Sequence, residues 1–265
     1  MCGRCNLQFF ERRYSPSEIE FLYHDYRGDE YLRRRKRWEP WYSNKRNESL
    51  GHDDEVTLKR KLAVEGFLSR FLDSSTRLRI VDYGGDEGQF IPTLPNIDFS
   101  GVFEVSGRPV RSGVKTLTSL EQVCSVSPNL IMLCHVLEHF TDPRAELQRI
   151  VGLIDVGSHL YVEVPLDGHQ VKAATPTWLV ALFRSCRVLF IVSDFISQIC
   201  RYPLGWNSRF RLIKQSEHLQ FFSLSTLEVL AVKLGLSVIG SFRYTPDSSM
   251  GSPETLGVLL KKQCL

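Results

Sequence analysis

The sequence predicts an α/β fold: a doubly wound, mostly parallel seven-stranded sheet with an N-terminal extension and a helical insertion after the fifth strand. Two observations support this prediction. From about residue 56 onward, apolar runs of strand length alternate with segments of helical periodicity. The first of these runs passes directly into a glycine-rich turn over residues 84–88, and ligands of parallel sheets bind at the carboxyl ends of the strands.

The chain divides into an appendage, residues 1–55, and one domain, residues 56–265. The appendage is rich in aromatic residues and arginine and shows no strand periodicity. Helical spacing of apolar residues predicts a first helix from Val56 to Leu72 and a later one from Ser225 to Leu234. The strands are expected near residues 78–83, 99–104, 114–118, 129–134, 158–164, 236–244 and 256–262, with an apolar insertion over 166–222.

Composition agrees with one such domain and its extension. A chain of 265 residues with 43% hydrophobic residues can bury a full core without disulfide bonds. A net charge of +3 gives no general argument for binding nucleic acid or membranes. Seven cysteines at irregular spacings favour a reducing compartment, and residues 1–5 do not resemble a signal peptide, so we expect a cytoplasmic protein.

The glycine-rich turn is the predicted cofactor loop. Gly84, Gly85 and Gly88 allow the backbone to turn tightly and to approach a ligand closely. A dinucleotide would place its pyrophosphate beside Asp86 and Glu87, whose negative charges repel it. A cationic sulfonium that carries a zwitterionic amino acid tolerates those charges. The loop therefore predicts S-adenosylmethionine as the cofactor.

Two further strand ends carry polar side chains. Glu104 follows the second strand, about 20 residues beyond the first, where a carboxylate can accept both ribose hydroxyls. The fourth strand, near residues 129–134, runs into His135, Glu138 and His139 before a helix that starts at Pro143. Because parallel strands end at the same edge of a sheet, we expect these side chains near the cofactor.

With these three segments in order, the chain resembles the class I S-adenosylmethionine-dependent methyltransferases, which have a Rossmann-like fold. The resemblance is to the branch with a His-x-Leu-Glu-His-x-x-Asp-Pro pattern, here residues 135–143, similar to methyltransferases of sugar and polysaccharide biosynthesis. Segments 162–165, 217–223 and 234–236 also match that branch, so the resemblance covers roughly residues 56–262. The middle glycine expected in the cofactor loop is Asp86 here.

The resemblance implies where the cofactor lies and what accepts the methyl group. The methionine end of S-adenosylmethionine would lie beside Asp82 and the loop glycines, and Glu104 would hold the ribose. The acceptor would be a small, carbohydrate-related molecule. The residues expected to border the cofactor are Asp82, Gly84, Gly85, Gly88, Glu104, Cys134 and His135.

His135, Glu138 and His139 are the catalytic candidates. If the turn after the fourth strand is helical, positions i, i+3 and i+4 share one face, which directs a histidine and a carboxylate into the cleft. Methyl transfer to a hydroxyl or amine requires removal of the acceptor's proton, and His135 is the first choice of base. Alternatively, these side chains only hydrogen-bond the backbone and fix the turn, and Glu217 and His218 brace a loop.

The same residues permit a metal interpretation. His135, Glu138 and His139 with His218 resemble the Glu-x-x-Glu-His and distant His set of the small-RNA 2′-O-methyltransferases, which bind a divalent ion. Here histidine replaces the first carboxylate, which makes the set less suited to magnesium. A motif match without structural context is weak, so we assign no metal ligand from the sequence.

Cys2 and Cys5 have the spacing of a zinc knuckle, which in similar sugar-modifying methyltransferases is half of a four-cysteine ribbon. Two thiolates cannot close a tetrahedral zinc site. We therefore expect no bound zinc from this pair.

The densest charge cluster is the basic run at residues 33–37, which aromatic residues flank. It is interpreted as a solvated helix face, as a site for the phosphates of a nucleotide-linked sugar, or as a weak contact to RNA. Nucleic acid is the least favoured partner because five charges without a longer basic stripe bind it weakly.

The insertion contains an apolar run over residues 178–196 that Arg184, Arg187 and Asp194 interrupt, so it is not a membrane span. It is expected to pack on the domain, to cover the acceptor site as a lid, or to contact a membrane that carries a lipid-linked substrate. A different class also stays open. A degenerate methyltransferase fold that only binds ligands would explain Asp86 and the half ribbon.

Overall fold

The computed structural model describes residues 2–9, 14–23, 25, 28–37, 39–40, 42–49, 54–104, 109–166, 178, 181–182, 185–201, 218–245 and 254–264. The strands within these residues are β1 Gln8–Phe9, β2 Leu78–Tyr83, β3 Ile97–Phe103, β4 Lys115–Leu117, β5 Leu130–Cys134, β6 His159–Pro165, β7 Gln220–Phe221, β8 Leu236–Tyr244 and β9 Thr255–Lys262. The helices are α1 Pro16–Tyr23, α2 Asp29–Lys36, α3 Asn44–Ser49, α4 Asp54–Leu68, α5 Leu120–Val126, α6 Pro143–Val151, α7 Arg187–Arg201 and α8 Leu224–Lys233, with a 3₁₀ turn at Leu137–His139.

Seven strands form one sheet in the order β4-β3-β2-β5-β6-β9-β8. Strands β2 to β6 pair in parallel, whereas β9 runs antiparallel to β6 and β8. The predicted doubly wound, mostly parallel sheet is confirmed. The winding reverses between β2 and β5, and a crevice for ligands opens at the carboxyl ends of the strands at such a point.

Helices cover both faces of the sheet, which explains why its central strands are apolar throughout. All five residues of β5 are buried. On one face the core includes Leu147 and Ile150 of α6 and Leu227 of α8, and on the other it includes Val64 and Leu68 of α4. A strand covered on both faces lacks the alternating pattern of a half-exposed strand.

The first residues of the appendage pack against the domain through a short strand that its sequence pattern does not reveal. Gln8 and Phe9 pair antiparallel with Phe221 and Gln220. The hydroxyl of Thr226 donates to the carbonyl oxygen of Cys5 at 2.7 Å. Two residues are too few to show the period-2 pattern from which strands are recognised.

The basic run lies mainly on α2, and contacts inside the appendage engage its charges. The Arg34 guanidinium lies 4.3 Å from the ring centre of Phe21. The Arg35 guanidinium lies 4.0 Å from that of Tyr42, and its Nε donates to Glu39 at 3.2 Å. These contacts engage two of the five basic side chains, and Arg33 and Arg37 are exposed.

Helix α7 presents an apolar face to solvent. Val188, Leu189, Val192, Phe195 and Ile196 are all exposed, at positions that share one side of a helix. The expectation that this run packs on the domain is wrong for these residues. Among the described helices, none combines the length and the apolar character needed to cross a bilayer.

Candidate active site

Asp82 and the glycine loop form the floor of the crevice. Asp82 is fully buried near the end of β2, and within the described part of the chain neither carboxylate oxygen has a hydrogen-bond partner. A Cβ atom on Gly85 would lie 2.3 Å from this carboxylate, so only glycine fits there. Gly84 has φ +70°, and its N–H donates to the carbonyl oxygen of Phe103 at 2.8 Å, which ties the loop to β3.

Asp86 adopts the backbone conformation that the missing glycine would favour. Its φ is +53°, and Gly88 in the same loop has φ +77°. Aspartate tolerates this left-handed region better than most residues because its short side chain can hydrogen-bond locally. The substitution therefore preserves the course of the loop, and its cost is conformational.

Burial raises the pKa of Asp82 to about 7, and the charges of Glu163, Glu104 and Asp86 act in the same direction, while Arg60 opposes them. A buried carboxylate without a partner is costly, and a ligand ammonium would provide the missing partner. S-adenosylmethionine has such an ammonium group at its amino-acid end. The residues present therefore fit this cofactor.

Glu104 lies directly after β3, next to the loop. Its N–H donates to the carbonyl oxygen of Leu117 at 3.3 Å, and its side chain is half-buried. The register of the sheet aligns Tyr83 with Phe103, so Glu104 and Gly84 follow neighbouring strand ends. The structure thus brings together Asp82, the loop and Glu104, as the sequence predicts.

Cys134 and His135 stand at the end of β5, across the crevice from the loop. Burial raises the pKa of the Cys134 thiol well above its ordinary value, so the thiol stays protonated at neutral pH. His135 has φ +59°, a conformation that is unfavourable for a residue with a Cβ atom. Strained backbone of this kind clusters at functional sites.

Glu163 in β6 is the centre of a buried network that the sequence analysis missed. Arg60 donates from Nε to its Oε1 at 2.6 Å, and the hydroxyls of Tyr161 and Tyr244 donate to its Oε2 at 2.7 and 3.0 Å. Burial alone would raise the pKa of Glu163, but the charge of Arg60 and the contact with His135 outweigh it and lower the pKa to about 2. Glu163 is therefore ionised at neutral pH.

His135 lies between two buried carboxylates. Its Nε2 is 3.3 Å from Oε1 of Glu163, and its Nδ1 is 3.5 Å from Oε1 of Glu138. The imidazole side chain retains 27% of its exposure, whereas Glu163 is fully buried. A line of polar side chains thus runs from Arg60 through Glu163 and His135 to Glu138.

Glu138, His139 and His218 form the rim of the crevice beyond His135. Oε1 of Glu138 lies 4.0 Å from Nε2 of His139 and 3.9 Å from Nε2 of His218. The N–H of Leu219 donates to the carbonyl oxygen of Glu138 at 2.9 Å, and Gln220 donates to that of Phe140 at 2.8 Å. These bonds hold the segment that carries His218 against the 3₁₀ turn.

Comparisons with known proteins identify the family. Residues 52–240 match the family described as Methyltransferase domain. The chain belongs to this methyltransferase family. It is an enzyme that uses S-adenosylmethionine as its methyl donor. A comparison with curated proteins finds no match.

Among solved structures, the methyltransferase is similar to the 1,6-didemethyltoxoflavin-N1-methyltransferase of Burkholderia thailandensis, with bound 1,6-didemethyltoxoflavin and S-adenosylhomocysteine. The identity is 10% and the TM-score 0.54, over 97% of this chain and 95% of that one. A second similar chain belongs to the Haloferax volcanii complex of the Trm112 methyltransferase activator with a methyltransferase, at 11% identity and a TM-score of 0.50, over 86% of this chain and 98% of that one. At this identity the likeness concerns the fold.

The helical turn considered after β5 forms only in part. His135 is not part of a helix, and only Leu137–His139 form a 3₁₀ turn, yet His135, Glu138 and His139 still converge. Asp142 acts as the N-cap of α6, because its side chain accepts from the N–H groups of Arg144 and Ala145. Glu217 lies outside the described residues.

The methyltransferase residues that sequence reasoning missed are Arg60 and Glu163. They are 103 positions apart in the chain, so no local motif connects them. A signal was present, since Glu163 is the one carboxylate in the apolar run 160–165. A charge inside a buried strand requires a partner, but the sequence does not say which helix supplies it.

Proposed function

We propose that this enzyme methylates a hydroxyl or amine group of a small, carbohydrate-related acceptor, with His135 as the base. The observation that supports this most directly is the contact between His135 and the ionised Glu163 at the end of β5. A buried carboxylate that faces one imidazole nitrogen fixes the tautomer and leaves the other nitrogen to take a proton. The carbohydrate part of the proposal rests on the resemblance in residues 135–143.

In this mechanism Glu163 holds the N–H at Nε2 of His135, and Nδ1 accepts the proton of the acceptor. Nδ1, which carries no proton in this tautomer, lies 3.5 Å from Oε1 of Glu138 and makes no hydrogen bond to it, so it can accept from a hydroxyl of the acceptor. Bound S-adenosylmethionine supplies the electrophilic methyl group. Asp82, Gly84, Gly85 and Gly88 would hold its amino-acid end and Glu104 its ribose, with Cys134 and His135 alongside.

We propose that the sugar acceptor is attached to a lipid rather than to a nucleotide. Internal contacts engage Arg34 and Arg35, two of the five basic residues on which the nucleotide interpretation rests. The exposed apolar face of α7 is instead suited to the surface of a bilayer. A peripheral enzyme of this kind would work on the membrane without spanning it.

A direct experiment is to incubate the protein with S-adenosylmethionine bearing a labelled methyl group and with lipid-linked sugars, nucleotide sugars, free sugars and short RNA in parallel. Label is expected in the lipid-linked sugar. Transfer only to RNA would refute the carbohydrate proposal. A ligand-binding protein without activity would give a thermal shift with S-adenosylmethionine but no transfer to any acceptor.

A further inference from the structure

We propose that Glu138, His139 and His218 bind one divalent transition-metal ion at the rim of the crevice. One ligand atom from each residue lies within 4.8 Å of the other two. Glu138 and His139 come from the 3₁₀ turn, and His218 comes from a segment 79 positions later that backbone hydrogen bonds hold beside it. Two separate parts of the chain therefore converge on one point.

The spacing of the ligand atoms is close to that of a loaded site. Zinc bonds of about 2.0–2.1 Å place neighbouring tetrahedral ligands about 3.4 Å apart. The observed separations of Oε1 of Glu138 from the two imidazole Nε2 atoms are 4.0 and 3.9 Å. Side-chain movements of about 0.5 Å would bring Oε1 of Glu138 to this distance from both imidazoles, and the two imidazole nitrogens, within 4.8 Å of each other, would approach by up to about 1.4 Å.

A second observation points to a cation independently of this spacing. Glu138 is 1% exposed, and within the described residues neither of its carboxylate oxygens accepts a hydrogen bond. Leaving a buried carboxylate in that state is costly, and a bound cation removes the cost. Nδ1 of His135 lies 3.5 Å from the same oxygen on the interior side, so the proposed base stands next to the proposed ligand.

The donor set selects the class of metal. Two imidazoles and one carboxylate suit Zn²⁺, Mn²⁺, Fe²⁺ or Co²⁺ and are a poor match for Mg²⁺ or Ca²⁺, which prefer oxygen ligands. Three protein ligands leave a position open, as in catalytic sites. His139 and His218 retain 20% and 31% exposure, so this position can be reached from the crevice.

The role of the ion, unlike its binding, rests on the proposed function. At the open position the ion would coordinate the acceptor's hydroxyl oxygen and make its proton more acidic. That proton would pass to Nδ1 of His135 as the oxygen forms its bond to the methyl carbon and the carbon–sulfur bond breaks. A sugar with neighbouring hydroxyls would also be oriented by such an ion.

The test is a Co²⁺ titration of chelator-treated protein, followed by visible absorption. The Cys2→Ser background removes a competing thiolate, and His159→Gln, at the far end of β6, is the matched histidine control. We expect saturable binding of one ion, weakened about tenfold or more by Glu138→Gln and by His218→Gln. His159→Gln should bind as the parent does.

The proposal is overturned if the parent binds no Co²⁺ saturably, or if Glu138→Gln binds it as tightly as the parent. Folding of each variant is checked by its circular dichroism spectrum, and His139→Gln replaces any variant that fails to fold. Thermal shift with S-adenosylmethionine is measured on the same samples. A rise in melting temperature with S-adenosylmethionine but no metal binding would contradict only the metal site. Metal binding without methyl transfer to any acceptor would contradict only the proposed function.

Discussion

His135 and Glu163 make two contacts, one between their backbones and one between their side chains. The N–H of His135 donates to the carbonyl oxygen of Glu163 at 2.9 Å, and Nε2 of the imidazole lies 3.3 Å from Oε1 of the carboxylate. The first contact continues the pairing of β5 with β6 by one residue, and the second places the ring beside the carboxylate. The sheet itself therefore orients the proposed base, which a flexible loop could not do as well.

The first prediction concerns this base. His135→Ala should lower turnover by about 10²–10⁴-fold, the range for loss of a general base. Quenched single-turnover reactions with labelled S-adenosylmethionine would measure the rate of methyl transfer. Affinity for the cofactor should change far less, because Asp82, the glycine loop and Glu104 remain. Turnover equal to that of the parent protein would exclude His135 as the base.

Glu163→Gln should also lower turnover, because the amide keeps the shape but cannot hold a cationic imidazole. Tyr244→Phe is the control, since it removes one hydrogen bond to Glu163 and leaves its charge. A positioning role predicts a fall in kcat with an unchanged KM for S-adenosylmethionine. If Glu163→Gln and Tyr244→Phe have equal kcat values, the charge has no part in orienting the base.

The second prediction concerns pH and stability. The pKa of Asp82 is raised to about 7 from an ordinary value of 3.8, so between these values the folded protein holds a proton that the unfolded chain has lost. The contribution of Asp82 to stability therefore falls as the pH rises through this window and levels off above it, while His159, whose pKa burial lowers, contributes the opposite slope below its ordinary pKa of 6.5. Glu163, with its pKa lowered to about 2, titrates below the window. Melting temperatures of the ligand-free protein between pH 5 and about pH 8 would show the fall.

Asp82→Asn should flatten this pH dependence, since it removes the titrating group without changing the side-chain shape. Asp98→Asn is the matched control, because Asp98 lies at the exposed start of the neighbouring strand β3. The control should keep the slope of the parent protein. Equal slopes for all three proteins would mean that Asp82 does not titrate in this range.

The third prediction concerns the cofactor carboxylate. Glu104→Ala should weaken binding of S-adenosylmethionine by about 1.5–3 kcal/mol, the range for a charge-assisted hydrogen bond. Isothermal titration calorimetry measures this affinity. Asp98→Ala, at the start of the strand that Glu104 follows, should leave the affinity unchanged. An unaltered affinity in Glu104→Ala would refute the ribose assignment.

The fourth prediction concerns the loop. Asp86→Gly should bind S-adenosylmethionine at least as tightly as the parent protein, because glycine adopts φ +53° without strain. Gly84→Ala should do the opposite, since its φ is +70° and a Cβ atom would lie 3.0 Å from Val136. Thermal shifts at several cofactor concentrations would rank the variants. Tighter binding by Gly84→Ala would show that the loop has a different role.

Sequence reasoning succeeded for the seven-stranded sheet because most of its strands are buried apolar runs followed by a turn, whereas the two-residue strands β1 and β7 were missed. It identified β2 and β8 with their observed bounds, and it expected β3 to start two residues late, where Ile97 and Asp98 lie at a partly exposed edge. Asp82, Glu104 and His135 were found because strand ends share one edge. Arg60 was missed because it stands between two lysines in a helix with several charged residues, where the sequence does not distinguish it from a solvated arginine.

The last prediction concerns α7. Its exposed residues Val188, Leu189, Val192, Phe195 and Ile196 would enter the interface of a bilayer, and Phe195→Glu should then weaken binding to vesicles by about tenfold or more. Val232→Glu on α8 is the matched control, because Val232 is 76% exposed but stands outside this face. Cosedimentation with vesicles of anionic and of neutral lipid measures both variants. If Val232→Glu weakens binding as much as Phe195→Glu, added negative charge alone explains the loss, and α7 is not the contact. If the parent protein binds neither vesicle, the acceptor does not reach the enzyme on a membrane, and the lid interpretation of α7 takes its place.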